Sequence, residues 1–145
     1  MRIAKNAWDP IKQIFQPPIS EEMVLKEIMT RLWLEYRIKV WRITERIPVK
    51  GKRWQRLSTP GLPDLLGWLL LPGSIGANAS SPIMRDLPPN RPIPLLIEVK
   101  RPGGKRREMQ ERFIAEAKAD GCCSLFAESW EDVVQSLKEF GVEHA

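Results

Sequence analysis

Apolar residues recur at helical spacing in three parts of the chain. The first part runs from about Glu21 to Glu35 and follows Ser20, a residue type that favours the N-cap of a helix. The second runs from about Lys105 to Ala119 and stops before Gly121, and glycine is a common helix terminator. The third follows Ser129, another N-cap residue type. The pattern predicts three amphipathic helices.

Shorter apolar runs lie between these helices and predict strands. The segment from Ile38 to Val49 is strand-like and leads into a hairpin turn at Lys50-Gly51-Lys52. Continuous apolar runs at Leu65 to Leu71 and Ile93 to Lys100 are typical of buried strands, and Cys122 to Ala127 is a shorter one. The elements together predict an α/β fold in which helices flank one mixed β-sheet.

The organisation along the chain predicts a single domain. A chain of 145 residues that is 43% hydrophobic can bury one ordinary core. Two consecutive prolines end an N-terminal arm over residues 1–18, and the predicted domain spans 19–141. Within it, residues 72–92 lack periodicity and predict a long loop, and 142–145 form a tail.

Several classes of function are disfavoured by composition. No apolar stretch approaches the roughly 20 residues of a membrane span, and no secretory signal is visible, so we expect a cytoplasmic protein without a membrane partner. The only cysteines, Cys122 and Cys123, are adjacent, which favours small buried thiols over a disulfide or a zinc site. The single histidine, His144, lies in the tail, where histidine-based catalysis is not expected.

The formal net charge of +5 is concentrated in the first part of the chain. Residues 1–60 hold 13 Lys/Arg against 6 Asp/Glu, an excess of +7, and most of it lies between Arg37 and Arg56. Such a cluster suits a polyanion, although a solvated basic hairpin explains it equally well. The candidate DNA-binding residues are Arg42, Lys50, Lys52, Arg53, Trp54, Arg56, Lys105 and Arg106.

Four of the six tryptophans fall into two groups. Trp54 lies among basic residues, where stacking on an unpaired base and packing in the core are equally good explanations. For Trp33, Trp41 and Trp68 we expect core packing, the usual role of large aromatic side chains.

The strongest chemical signal is the end of the run Leu95 to Lys100. Side chains alternate across a sheet, so Glu98 and Lys100 share one face. A buried charge requires a partner, which can be the other member of the pair, a metal or a substrate. Taken alone, the segment favours a structural ion pair at the end of a strand over a catalytic or metal-binding pair.

Three further polar residues are candidates for the same site. Asp64 begins an apolar strand after a turn, and two carboxylates at strand ends suit Mg²⁺, which leaves its other positions to water and phosphate. A lysine beside that metal can orient or help deprotonate a water molecule. Gln110 lies on the inward face of its helix and needs a hydrogen-bond partner. Glu21 is the fourth candidate, although a stabilising role in the first helical turn explains it as well.

These residues occur in motifs that resemble the VRR-NUC family of the PD-(D/E)XK nuclease superfamily. The matching motifs are Ser20-Glu21-x-x-Val24, Gly61-Leu62-Pro63-Asp64, Ile97-Glu98-Val99-Lys100-Arg101-Pro102-Gly103-Gly104, and Gln110. The resemblance covers roughly residues 20–140. It implies a restriction-endonuclease-like core in which helices flank a central mixed sheet in the order α-β-β-β-α-β.

The resemblance also implies roles for individual residues. Asp64, Glu98 and the backbone carbonyl of Val99 would bind Mg²⁺ or Mn²⁺, and Lys100 would assist the attacking water. Gln110 and Glu21 would complete or orient the site. Two departures from the family pattern stand out: the loop over 72–92 is longer than the usual hairpin, and the adjacent Glu21 and Glu22 make the N-terminal carboxylate ambiguous.

The expected function is therefore a metal-dependent deoxyribonuclease that hydrolyses phosphodiester bonds. The family implies a structure-selective endonuclease of DNA repair or recombination, acting on branched or single-stranded DNA and forming a homodimer. One alternative is a nuclease-like protein that binds DNA without cutting it. Another is a metal-independent interaction module with a structural ion pair.

Overall fold

The computed structural model describes residues 18–43, 46–49, 51–56, 61–70 and 92–143. The helices in these residues are α1 (Glu21–Tyr36), α2 (Glu108–Ala119) and α3 (Trp130–Glu139). The strands are β1 (Val40–Arg42), β2 (Arg46–Val49), β3 (Lys52–Arg56), β4 (Leu65–Leu70), β5 (Pro92–Val99) and β6 (Cys123–Ala127). The predicted N-terminal arm and long loop lie almost entirely outside the described residues, and the predicted tail lies partly outside them.

The main sheet has four strands in the order β1-β4-β5-β6. Strands β1, β4 and β5 pair in antiparallel fashion, and β6 is parallel to β5. A helix, α2, provides the crossover connection that a parallel pair requires. The structure therefore confirms an α/β fold with a mixed sheet and flanking helices.

Two helices begin where their caps predict. The Ser20 hydroxyl accepts a hydrogen bond from the Met23 amide at 3.2 Å, and the Ser129 hydroxyl accepts one from the Asp132 amide at 3.4 Å. The predicted start of α2 at Lys105 is wrong by three residues. Arg107 is still extended, and its amide donates to the side-chain oxygen of Gln110 at 3.2 Å, so the amide side chain caps the helix from within.

The segment from Ile38 to Val49 is not one strand, as the apolar pattern predicted. Strand β1 belongs to the main sheet, whereas β2 pairs only with β3 in a separate two-stranded sheet. Pro48 in β2 has no amide hydrogen, which suits a strand without neighbours on both sides. The predicted hairpin turn is confirmed, because Val49 pairs with Lys52 and Gly51 adopts a φ of 83° between them.

One face of the main sheet carries the core. Alternate residues of β4 and β5, including Leu65, Leu95 and Ile97, are fully buried on this face. They pack with the apolar sides of α1 and α3, where Ile28 and Leu137 are also fully buried. The remaining residues of the same strands point to the opposite face, which α2 covers only beside β6.

Three tryptophans expected in the core are instead half exposed. Trp33, Trp41 and Trp68 have exposed fractions of 50%, 44% and 48%. Trp41 and Trp68 alternate with the core positions of their strands and so lie on the opposite face, while Trp33 lies on the outer side of α1. Apolarity alone does not report which side of an element a residue occupies.

The expectation of small buried thiols holds for Cys123, whereas Cys122 is only partly buried. Both Cys122 and Cys123 are free. Burial raises the pKa of Cys123 to about 12, so its thiol stays protonated at neutral pH.

No helix in the described part of the chain is long and apolar enough to cross a membrane.

Candidate active site

The antiparallel pairing of β4 and β5 brings the two predicted carboxylates together. Leu65 at the start of β4 is the register partner of Ile97 near the end of β5. Asp64 therefore lies beside Glu98, although 34 positions separate them in the sequence. One oxygen of Asp64, Oδ2, accepts a hydrogen bond from the Val99 amide at 2.8 Å, which fixes this carboxylate against the end of β5.

Glu98 and Lys100 form a buried ion pair. The two side chains lie on the same side of the strand, and Lys100 Nζ is 2.6 Å from Glu98 Oε1. The residues are only 2% and 8% exposed. Each buried charge thus has a partner, as burial requires. The same contact is expected of a structural ion pair and of a catalytic pair, so the neighbours of the pair must distinguish them.

Gln110 connects α2 to the ion pair of Glu98 and Lys100. Its side-chain nitrogen donates to Glu98 Oε1, the oxygen that also receives Lys100, while its side-chain oxygen accepts from the Arg107 amide. The backbone at the start of α2 therefore fixes which end of the Gln110 amide faces the carboxylate. We refer to Asp64, Glu98, Lys100 and Gln110 as the carboxylate cluster.

Burial makes ionisation of the two carboxyl groups unfavourable. It raises the pKa of Glu98 to about 7, with the Lys100 hydrogen bond opposing the shift and the negative charges of Asp64 and Glu21 adding to it. Burial also raises the pKa of Asp64, against the effects of the Val99 amide, Lys100 and Arg42. Two adjacent carboxyls with raised pKa values are donors that a nearby cation would stabilise in the ionised form.

The structure separates the roles of the two adjacent N-terminal glutamates. Glu22 forms a two-pronged ion pair with Arg42, with nitrogen-to-oxygen distances of 3.0 and 3.2 Å. The charge of Glu21, by contrast, contributes to raising the pKa of Glu98. Glu22 therefore joins α1 to β1, while the charge of Glu21 has a small effect on Glu98.

The donor set at the cluster fits some metals better than others. Within the described ranges, no group of three Asp, Glu, His or Cys side chains is arranged to hold a metal ion. A structural zinc site would need such a group. Mg²⁺ commonly takes only one or two protein carboxylates, which Asp64 and Glu98 can provide, with the Val99 carbonyl at the same strand end. The residues present fit a hard divalent cation of the Mg²⁺ or Mn²⁺ type.

A basic loop follows the cluster directly. Its cations are all exposed: Arg101, Lys105, Arg106 and Arg107. Gly103 has a φ of 72°, and its amide donates to Glu128 at 3.1 Å, while a Cβ on Gly104 would lie 2.9 Å from the Arg101 carbonyl oxygen. The Gly-Gly pair therefore permits a tight turn that keeps the cations close to Lys100.

Sequence reasoning selected only some of these cations. Lys105 and Arg106 were predicted to bind DNA, and Arg106 lies over the Phe126 ring at 4.5 Å. Arg101 and Arg107 were missed, although their position beside the Glu-x-Lys motif was a usable signal. Among the hairpin candidates, Lys50 lies outside the described residues. For Lys52, Arg53, Trp54 and Arg56 the structure describes the backbone strand alone, so these predictions stay predictions.

A cleft of about 600 Å³ lies at the other end of the main sheet. Its lining includes Tyr36, Lys39, Trp68 and Leu70. Strands β4 and β5 run between this end and the carboxylate cluster, and none of the four cluster residues lines the cleft. The cleft and the carboxylate cluster thus lie at opposite ends of β4 and β5.

Comparison of this chain with protein-family models, with curated proteins and with solved structures gives no match. Support for a function therefore comes from the carboxylate cluster and from the motif resemblance.

Proposed function

We propose that this protein is a metal-dependent deoxyribonuclease with a restriction-endonuclease-like core of the VRR-NUC type. The observation that carries the proposal is the convergence of Asp64, Glu98, Lys100 and Gln110, which come from three separate segments of the chain. The order of elements around the main sheet, α-β-β-β-α-β, also supports it.

The second supporting observation is the free-energy cost of burying the charged groups of the carboxylate cluster. Apolar residues at these positions would avoid the burial of two carboxyls and an ammonium group. Burial of this kind, with raised pKa values on both acids, is more often found at functional sites than in structural cores. A protein that only binds DNA also has no need of paired carboxylates facing phosphate.

In this proposal Asp64, Glu98 and the Val99 carbonyl hold a divalent cation. When bound, Mg²⁺ or Mn²⁺ would polarise the scissile phosphate and favour ionisation of water. Lys100 orients the attacking water and offsets the negative charge that develops on the phosphate oxygens. Attack forms a new bond between water oxygen and phosphorus, and the bond from phosphorus to the leaving sugar oxygen breaks. The attacking water gives up one proton to solvent, and the leaving sugar oxygen takes up one proton from solvent. Gln110 is a positioning residue that holds Glu98.

Binding of DNA without cleavage is the second candidate. The exposed cations that follow Lys100 favour it, because they would contact phosphates whether or not the backbone is cut. The motif resemblance extends the main proposal to branched or single-stranded DNA and to a homodimer.

A cleavage assay with three conditions tests the proposal. Purified protein is incubated with labelled duplex, single-stranded and branched DNA in Mg²⁺, Mn²⁺ or EDTA. We expect cutting that requires the cation, is lost in Glu98→Ala and slows by about 10²-fold or more in Lys100→Ala. The matched control is Glu116→Ala, which removes an exposed acid of α2 that pairs only with Arg112 in the described contacts.

Other outcomes decide against the proposal. If cutting continues in EDTA or in Glu98→Ala, the carboxylate cluster is not the catalytic site. Tight binding of DNA with no cutting in either cation would support the second candidate. Near-normal cleavage by Lys100→Ala would show that the contact between Glu98 and Lys100 is a structural ion pair with no role in catalysis.

A further inference from the structure

The face of the main sheet that carries the cluster is open on one side. Helix α2 lies over β6, where Ser124 donates a hydrogen bond to the Ile114 carbonyl of that helix. On β1 and β4 the outward residues Trp41, Trp68 and Leu70 are 44%, 48% and 76% exposed. Large apolar side chains grouped in this way on an exposed surface commonly mark a binding site.

The two indoles form one compact surface. The Trp41 and Trp68 ring centroids are 6.1 Å apart, and the ring planes meet at 55°. Lys39 Nζ lies 5.3 Å from the centroid of the Trp41 ring. The surface therefore combines two π faces with a positive charge, which are the groups that hold bases and phosphates of an unpaired strand.

This surface continues into the carboxylate cluster. Asp64, Leu66 and Trp68 alternate along the same side of β4, and Trp41 is the register partner of Leu66. At about 3.4 Å per residue, Trp41 lies one row, or roughly 7 Å, from Asp64 along the strand direction, and Trp68 lies roughly 13 Å away. A strand of nucleic acid that ran from Asp64 along the direction of β4 would pass over both rings.

We infer that Trp41 and Trp68 form a stacking platform for unpaired DNA bases beside the carboxylate cluster. The inference rests on the proposed function, because it takes the substrate to be DNA. The bases stack on the indole faces, and the Lys39 ammonium pairs with a phosphate of the same strand. The platform thereby selects DNA with an unpaired stretch next to the bond that is cut.

A second copy of the chain fits this surface less well. Half-exposed Trp41 and Trp68 together with Leu70 offer roughly 400 Å² of apolar area, taking about 250 Å² for a whole aromatic side chain. A stable interface needs about 800 Å² from each partner. In a dimer formed through this surface, the Lys39 ammonium would lie in the interface and would need an acidic partner there. A nucleic acid supplies that opposite charge through its phosphates.

Binding of a labelled oligothymidylate tests the platform. Fluorescence anisotropy is measured in EDTA, so that the probe stays intact, with a blunt duplex as the second probe. We expect Trp41→Ala and Trp68→Ala each to weaken oligothymidylate binding by about 5-fold to 100-fold, the loss associated with one stacked base, and to leave duplex binding unchanged. Trp68→Phe should retain most of the affinity, because a phenyl ring still stacks.

Trp33→Ala is the matched control. Trp33 is 50% exposed and has Arg37 5.7 Å from its ring centroid, but it lies on α1 rather than on the sheet. Its loss should not change binding of either probe. Equal losses in all three alanine variants, equal losses on both probes, or no loss in Trp41→Ala and Trp68→Ala would overturn the inference. So would dissociation of a dimer by either variant in sedimentation, since that result assigns the surface to a second copy.

The same variants separate this inference from the proposed function. If wild-type protein cuts duplex DNA with Mg²⁺ or Mn²⁺ and the tryptophan variants bind oligothymidylate normally, the nuclease stands and the platform fails. If no DNA is cut under any condition but the two variants lose oligothymidylate binding, the platform stands and the nuclease fails. Thermal unfolding of each variant verifies that the half-exposed rings were removed without loss of the fold.

Discussion

The two faces of the main sheet are built from alternate residues of the same strands, yet they differ in every physical respect. On one face Leu65, Leu95 and Ile97 are fully buried against two helices. On the other, buried Glu98 and Lys100 share the face with half-exposed Trp68. The first face lowers the free energy of the fold by removing apolar surface from water. The second carries buried charges and exposed aromatic rings, which stability does not require.

The comparison shows why function should be sought on the second face. Sequences that fold well satisfy local rules of burial, and the places where they break those rules are commonly functional. Here the buried Glu98 and Lys100 share one face of the sheet with Asp64 and the half-exposed Trp41.

The largest effect is expected from Asp64→Asn on the second face. The amide oxygen of Asn can still accept from the Val99 amide, so the fold should be preserved, whereas a neutral amide is a poor ligand for Mg²⁺. We expect cleavage to fall by about 10²-fold to 10³-fold or more, with DNA binding equal to or above that of the unchanged protein, because a negative charge near phosphate is removed. Rates and dissociation constants measured on the same labelled DNA check this. A parallel loss of binding and cutting in a folded variant would contradict a metal-ligand role.

The next prediction concerns stability and compares two leucines of one strand. Leu65 is fully buried on the core face, and Leu70 is 76% exposed on the other. Leu65→Ala should lower the free energy of unfolding by about 2–5 kcal/mol, while Leu70→Ala should change it by less than about 0.5 kcal/mol. Denaturant unfolding measures both. Similar losses from the two variants would mean that the second face is as well covered as the first.

The third prediction uses the raised pKa of Glu98. Its pKa is about 7 in the folded chain against an ordinary value of 4.5, so the folded state holds this proton more tightly than the unfolded state. The stability gained from the protonated group is complete below pH 4.5 and is lost as the pH rises toward 7. Glu98→Gln cannot ionise. In EDTA, the free energy of unfolding of the unchanged protein should therefore fall relative to that of Glu98→Gln as the pH rises from 4.5 to about 7. The relative change should be roughly 2–4 kcal/mol, at about 1.4 kcal/mol per pKa unit.

The slope with pH is the informative quantity for this variant. Replacing Glu98 also leaves Lys100 without its partner, which adds a cost that is nearly constant over this range. Glu116→Gln, an exposed acid on α2, should show no such slope. Parallel pH profiles for Glu98→Gln and the unchanged protein would show that burial does not hold a proton on Glu98.

Local signals account for the parts of the fold that the sequence predicts well. Ser20 and Ser129 mark helix starts because an N-cap depends on residues only three positions away. The cluster residues were also identified, since Glu98 and Lys100 must share a face of any strand that contains them. Their association with Asp64 was predicted from carboxylates at two strand ends and from the motif resemblance, and the sheet register supplies the physical contact.

Long-range pairing accounts for what the sequence misses. The apolar pattern continues from Ile38 to Val49, so it gives no sign that β1 and β2 join different sheets. Trp41 and Trp68 are large and apolar, as core residues are. The arrangement of the described helices leaves their side of the sheet exposed to solvent. The choice between Glu21 and Glu22 likewise depends on the position of Arg42, which pairs with one of them.

The smallest expected effect tests which face meets the DNA backbone. Lys105 and Arg106 are exposed beside the second face, whereas Lys26 and Lys138 are exposed on the helices that cover the core face. If DNA lies on the second face, the double variant Lys105→Ala and Arg106→Ala should flatten the slope of log affinity against log salt by about 0.7 to 0.9 per lost phosphate contact. Lys26→Ala with Lys138→Ala removes the same charge and should leave the slope unchanged. Equal changes in the two double variants would show that net charge, rather than a defined surface, attracts DNA.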